Sequence, residues 1–211
     1  MQFPDFYSQA PVVPTHDALA ELLGASDGGL LDYRYADCVR LAGHSCPTVA
    51  GAFLMARSAL QALYPDGPAE RGDIEVRMPA PEHHGTTGVV AQVLTLLTGA
   101  AASNGFQGIG GRYARHGLLG YAGRHEGDAI GFRRRDTGAS VAVSLDVSHV
   151  PGNPHQREWL AAIMQGRADA AQRRAFAEGW QARVRAMLLQ HADDPRMIRL
   201  ARTAPGVPGL A

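Results

Sequence analysis

His44 and Cys46 stand two residues apart, immediately before Pro47, at the entrance of a long apolar-periodic run. Proline fits the first position of a helix, because its fixed φ is already helical and its missing N–H would be unpaired there anyway. Cys46 is therefore expected at or beside the cap, its sulfur facing unpaired N–H groups and the positive end of the helix dipole, surroundings that favour the thiolate. A thiolate is a soft metal ligand or a nucleophile, and His44 can act as a second ligand or as a base toward the thiol. The alternative is a free cysteine filling a gap at a helix start, with His44 bonded to a backbone carbonyl.

The element that must carry this pair is read with little ambiguity. Val49, Ala52, Phe53, Ala56, Leu60 and Leu63 recur at steps of three and four, which predicts a helix over 47–64 that ends before Pro65-Asp66-Gly67-Pro68. Residues 73–78 alternate apolar and polar and read as a strand, and a nearly all-apolar helix follows over about 85–97. Upstream, the Pro- and aromatic-rich residues 1–14 are expected to run extended over the surface. A short helix from His16 to about Leu23 is expected with Thr15 as its cap, and a second helix over 30–41. Downstream of a Gly-rich stretch at 99–111, strands are expected at 117–121, 129–133 and 140–147, the last two joined as a hairpin by Asp136-Thr137-Gly138. After Pro151-Gly152-Asn153-Pro154 the composition turns helical, over 155–165, 168–191 and about 194–202. The order of elements predicts an α+β chain with a small mixed or antiparallel sheet packed by helices. Its expected parts are an N-terminal extension with a short helix (1–29), an α+β core (30–150) and a C-terminal helical extension (151–211).

Composition narrows the function. The 211 residues carry 20 basic and 20 acidic groups, all the basic ones arginine, for a net charge of zero. Without a basic excess or a polybasic stretch, nucleic acid is not an expected partner. No run of 18 apolar residues spans a membrane, and the first residues have neither the basic nor the apolar region of a secretory leader, so a cytoplasmic, thiol-reducing setting is expected. Two cysteines cannot build a disulfide scaffold or a four-Cys zinc module, whereas nine histidines can supply several ligands or proton carriers.

Gly43-His44-Ser45-Cys46-Pro47, with Gly51 four residues on, resembles the GHxCPG signature of the FmdE-like family, which takes its name from a protein associated with formylmethanofuran dehydrogenase. Val93-Leu94-Thr95-Leu96-Leu97-Thr98-Gly99 is similar to the helix of that family that ends in Leu-Thr-Gly before a Gly-rich stretch. The resemblance covers roughly residues 30–150. It implies an α+β core, commonly a homodimer, whose motif Cys and His line a cleft that holds a transition metal such as zinc. Ala42 stands where the family often has a histidine, Thr48 where it usually has glycine, and Val89 and Gln92 where members often carry Cys and Asp. The chain also lacks the cysteines for the family's C-terminal zinc finger, which marks it as a divergent member.

Further ligands for such a site are expected from Glu82-His83-His84, between a strand end and a buried helix. Adjacent residues of an extended chain face opposite ways, so one of His83 and His84 would join His44 and Cys46. This mixed N/S set of three would suit zinc or another divalent transition metal and leave a position open for water or a small-molecule ligand. Glu82 would serve as general base or orient a ligand, and Cys46 would act directly if the chemistry is nucleophilic. Arg112, in the Gly-rich loop, is placed for contact with an anionic substrate or cofactor. His149, with Asp146 and Ser148 nearby, reads as a capped surface residue, Cys38 as core, and Asp193 and Asp194 as part of a solvated, Arg-dotted helix face. Three functions follow: a zinc metalloenzyme acting on a small molecule, a non-catalytic carrier or sensor of metal or haem, and a metal-free thiol enzyme using Cys46 and His44.

Overall fold

The computed structural model describes residues 3–203; residues 204–211, the end of the expected C-terminal extension, lie outside the described residues. Two sheets organise the chain. Strands β1 (Val13–His16), β2 (Leu30–Tyr33) and β3 (Ala69–Glu70) form a small sheet in the order β2-β1-β3. Strands β4 (Ile74–Met78), β5 (Leu119–Tyr121), β6 (Ile130–Arg134), β7 (Ser140–Leu145) and β8 (Ile198–Thr203) form the larger one, in the order β5-β4-β6-β7-β8. β4 and β5 are parallel, and the other pairs are antiparallel, so the sheet is mixed. With its helices this is an α+β fold, as the order of elements predicts.

The larger sheet is covered on one face, which its alternation already demands. Ile74, Val76, Met78, Ile130, Phe132, Val141 and Val143 are buried, while Glu75 and Arg133 pair across strands on the opposite face at 2.8 Å. The cover is α4 (Pro47–Leu63), which packs on β6, β7 and β8 and against α3 (Tyr35–Ala42), α5 (Thr87–Thr98) and α7 (Ala170–Leu189). Val49, Ala50, Ala52, Phe53 and Ala56 of α4 have no exposed surface. Gly51 gives α4 room against the sheet: a Cβ there would come within 2.3 Å of Leu145 Cδ2 on β7.

Four segments differ from the sequence reading. Residues 6–9 form a short helix, α1 (Phe6–Gln9), with Phe6 and Tyr7 buried, because the Tyr7 ring packs edge to face against both Phe6 and Tyr35. The helix after β1, α2 (Ala18–Leu22), is capped by Asp17, which accepts from the Leu19 and Ala20 N–H groups; Thr15 lies within β1 and donates to the Leu31 carbonyl. The expected helix over 30–41 is β2 followed by α3. Leu30, Leu31 and Tyr33 pair with β1, and α3 starts where Arg34 N–H donates to the Asp37 carboxylate at 2.8 Å. The helix expected over about 194–202 gives way to β8, which extends the sheet along all six residues of β7. Arg-dotted polarity there belongs to an edge strand rather than a helix face. Before it come α6 (Gln156–Met164) and α7, the helices expected of the tail. Among the described residues no helix is long and apolar enough to cross a membrane.

Candidate functional site

Cys46 is the N-cap of α4. Its backbone is extended, Pro47 takes the first helical position, and Sγ accepts from the Val49 N–H at 3.5 Å. The residue is 9 % exposed and packs at the margin of the buried core. His44 is exposed; its Nδ1 donates to the Ala42 carbonyl at 2.9 Å, which leaves Nε2 as the ring nitrogen not engaged by that contact.

The residue between them is held by the tail of the chain. Ser45 Oγ lies 2.8 Å from Tyr35 Oη and donates to Gln181 Oε1 at 3.1 Å, while its carbonyl accepts from Trp180 Nε1 at 3.0 Å and Gln181 Nε2 at 3.3 Å. Trp180 and Gln181 belong to α7, so the C-terminal helix fixes the backbone that presents His44 and Cys46. The aromatic periodicity of α7 suggests only apolar anchoring. Its contribution to the motif loop runs through an indole N–H and an amide, which hydropathy does not distinguish.

A cleft of about 390 Å³ opens at this end of α4. Pro47 and Thr48, directly after Cys46, form one wall, with Met55, Met78, Val90, Ile130, Leu145 and Val147 as an apolar lining. His84, His125 and Asp128 are its ionisable side chains: the two imidazoles are 5.3 Å apart, and His125 Nε2 stands 3.6 Å from Asp128 Oδ1. Of the residues expected from sequence, His84 lines this cleft and Cys46 caps the helix that forms its wall. His44 and His83 do not line it, and both are exposed. Glu82 lines a separate cavity of about 450 Å³ with Arg71, Gln92, Asn104 and Tyr121; there burial, and then the Glu82 carboxylate, raise the Tyr121 pKa. Arg112 is exposed in its loop, its guanidinium 5.1 Å from the Tyr113 ring, and lines neither cavity.

One grouping escapes the sequence reading. Among the described residues, the group of three potential ligands whose donor atoms lie within 4.8 Å of one another is His149, His191 and Asp194. His44, Cys46, His83 and His84 do not form such a group. His191 and Asp194 are spaced i, i+3 just past the end of α7, a weak hint, while His149 is brought in from the loop after β7, which no local pattern announces.

Cys38 has no exposed surface, and burial foremost pushes its thiol up to about 12. A buried thiol held in its neutral form and closed to solvent reacts slowly with alkylating agents. Native-state alkylation at pH 8 is therefore expected to modify Cys46 at least tenfold faster than Cys38, as peptide mass mapping would show. Equal labelling would mean that this burial is lost in solution.

No protein-family model matches the chain, and no curated protein matches it significantly. Among solved structures it is similar to the crystal structure of a tungsten formylmethanofuran dehydrogenase FmdE-like protein from Syntrophus aciditrophicus. The two are 19 % identical over 84 % of this chain and 75 % of that one, with a TM-score of 0.47.

Proposed function

We propose that this chain binds a small, largely apolar molecule in the cleft at the start of α4, with a divalent transition metal, zinc foremost, held at the cleft by residues of the 43–47 motif. The observation that carries this reading is the cleft itself: an apolar chamber of about 390 Å³ with its ionisable groups gathered at His84, His125 and Asp128. Ligand sites in proteins have this make-up, a mostly apolar lining with a few convergent polar groups.

The residues suit a metal of this class. A thiol whose sulfur already accepts a backbone N–H, and a histidine whose Nδ1 is committed to a carbonyl so that Nε2 is the free donor, are the arrangement that orients soft and borderline ligands. Cys46 and His44 would be the motif's ligands and His84 the one from the cleft lining; their donor atoms do not lie within 4.8 Å of one another here, so an ion would have to draw them together. When bound, the metal would polarise a carbonyl or lower the pKa of a water molecule. The remaining tasks fall to the chain. The apolar wall excludes water from the bound molecule, the first turn of α4 presents its positive end to an oxygen-rich group, and His125, beside Asp128, can take or give a proton. Glu82, facing the other cavity, leaves the base role at this cleft to the histidines.

Filling the cleft tests the reading. Thr48→Phe, on the first turn of α4, is expected to abolish the ligand-observed NMR signals that small carboxylates and carbonyl compounds give with the unmodified protein. It should shift the melting temperature by no more than a few degrees, as surface-proximal substitutions do. Signals unchanged in the Thr48→Phe protein would place the binding elsewhere.

A further inference from the structure

We infer that His149, His191 and Asp194 form a second metal site, selective for divalent ions that prefer nitrogen and oxygen donors, at the far end of α7 and independent of Cys46. The three residues come from separate segments. His149 lies in the loop that leaves β7, His191 just beyond α7, and Asp194 in the turn that enters β8. Their side chains converge on one oxygen. Asp194 Oδ2 is 3.0 Å from His191 Nδ1 and 3.4 Å from His149 Nε2, and the two imidazole planes meet at 82° with centroids 5.5 Å apart. The rings meet edge to face instead of stacking, and an ion bound here would take the place of the proton through which His191 Nδ1 donates to Asp194 Oδ2.

His149 Nε2 supplies the second observation. It is sealed from solvent, and no hydrogen bond reaches it; its approach to Asp194 has the distance of an ion pair without the alignment of a hydrogen bond. A buried polar nitrogen left without a partner is costly, and coordination to a cation satisfies it without moving the backbone. Two imidazoles and one carboxylate form a familiar three-residue set for zinc, and they also suit nickel or cobalt; calcium and magnesium prefer all-oxygen shells.

Arg196 is the competing cation. Its Nη2 lies 2.8 Å from Asp194 Oδ2, and its Nε and backbone N–H bond Oδ1 at 3.0 and 2.9 Å. The side chain is 72 % exposed, so it can swing away and release Oδ2, while the backbone N–H continues to orient the carboxylate through Oδ1. An ion here would tie the exit of β7, the end of α7 and the start of β8 together, and so would lock the last strand of the sheet in register.

The test uses the full chain carrying Cys46→Ser, stripped with a chelator and titrated calorimetrically with zinc and with cobalt. One ion is expected to bind, to raise the melting temperature, and to give cobalt d–d bands without a thiolate charge-transfer band. His149→Gln and Asp194→Asn should each weaken binding by more than roughly tenfold, the scale on which even outer-shell partners act, with far-ultraviolet dichroism unchanged. Arg196→Gln should tighten it. No stoichiometric ion in the Cys46→Ser chain, or affinity unaltered by His149→Gln and Asp194→Asn, would overturn the site. Neither result bears on Cys46, whose ligation is read from the charge-transfer band in chains that retain the thiol.

Discussion

Asp17→Ala is expected to destabilise the fold by about 3–5 kcal/mol, measured as the loss in urea-unfolding free energy, because it leaves two poorly exposed guanidiniums without their counter-charge. Asp17 is 4 % exposed; its Oδ2 lies 2.5 Å from Arg71 Nη1 and its Oδ1 2.6 Å from Arg115 Nη2. The same carboxylate caps α2. Arg71 also donates to the Leu96 carbonyl, at the end of α5, and Arg115 donates to the Arg71 carbonyl. One acidic group thus joins the small sheet, the entry to β4 and the loop that precedes β5. Arg115 passes so close to Gly72, where φ is +86°, that any side chain there would collide with the guanidinium. Burial would by itself raise the Asp17 pKa, but Arg115 and Arg71 more than offset this and leave it below the ordinary carboxylate value. A carboxyl whose folded pKa is depressed contributes stability that is present above its unfolded pKa, about 3.9, and is lost as pH falls through the folded value. Asp17→Asn, which preserves size and the capping oxygen, should therefore be destabilising at pH 7, and its stability should fall less steeply than that of the unmodified protein as pH drops below about 4.

Phe53→Ala is expected to cost a comparable amount, about 3–5 kcal/mol, since it empties a closed site rather than trimming a surface. Phe53 has no exposed surface, its ring meets that of Tyr35 edge-on at 5.8 Å, and it lies on the helix that covers the larger sheet. Thermal unfolding would show the loss as a drop in melting temperature of about 2–4 °C for each kcal/mol. A change under about 1 kcal/mol would mean that the neighbouring side chains can collapse into the space, which dense packing around α4 argues against. Because Tyr35 also contacts Ser45 Oγ, this substitution should in addition loosen the 43–46 loop and speed alkylation of Cys46.

What can be read from sequence follows from the range of each signal. The helix over 47–63, the strand over 74–78 and the hairpin of β6 and β7 rest on local periodicity and turn chemistry, and each lies where those rules put it. Cys46 at the cap of α4 is legible from Pro47 alone. Residues 30–33 and 198–203 elude a local reading because each strand is defined by its partner: β2 by β1, β8 by β7, contacts that no window of neighbouring residues contains. The same limit applies to function. His84 reaches a cleft through its position at a strand-to-helix turn, a local cue. Trp180 and Gln181 holding Ser45 from 135 and 136 residues away, and His149 meeting His191 and Asp194, depend on tertiary approach and leave no trace in spacing.

The central proposal is that the thiol of Cys46 holds a transition metal beside the cleft at the start of α4. The most direct measurement is the near-ultraviolet absorption of the metal-stripped chain titrated with cobalt(II), run beside a Cys46→Ser variant. A thiolate-to-cobalt charge-transfer band is expected that saturates once both proposed sites are filled, at no more than two equivalents, and is absent from Cys46→Ser, with Cys38 too deeply buried to replace it. A chain that binds cobalt with no such band, or a band that survives Cys46→Ser, would contradict the proposal.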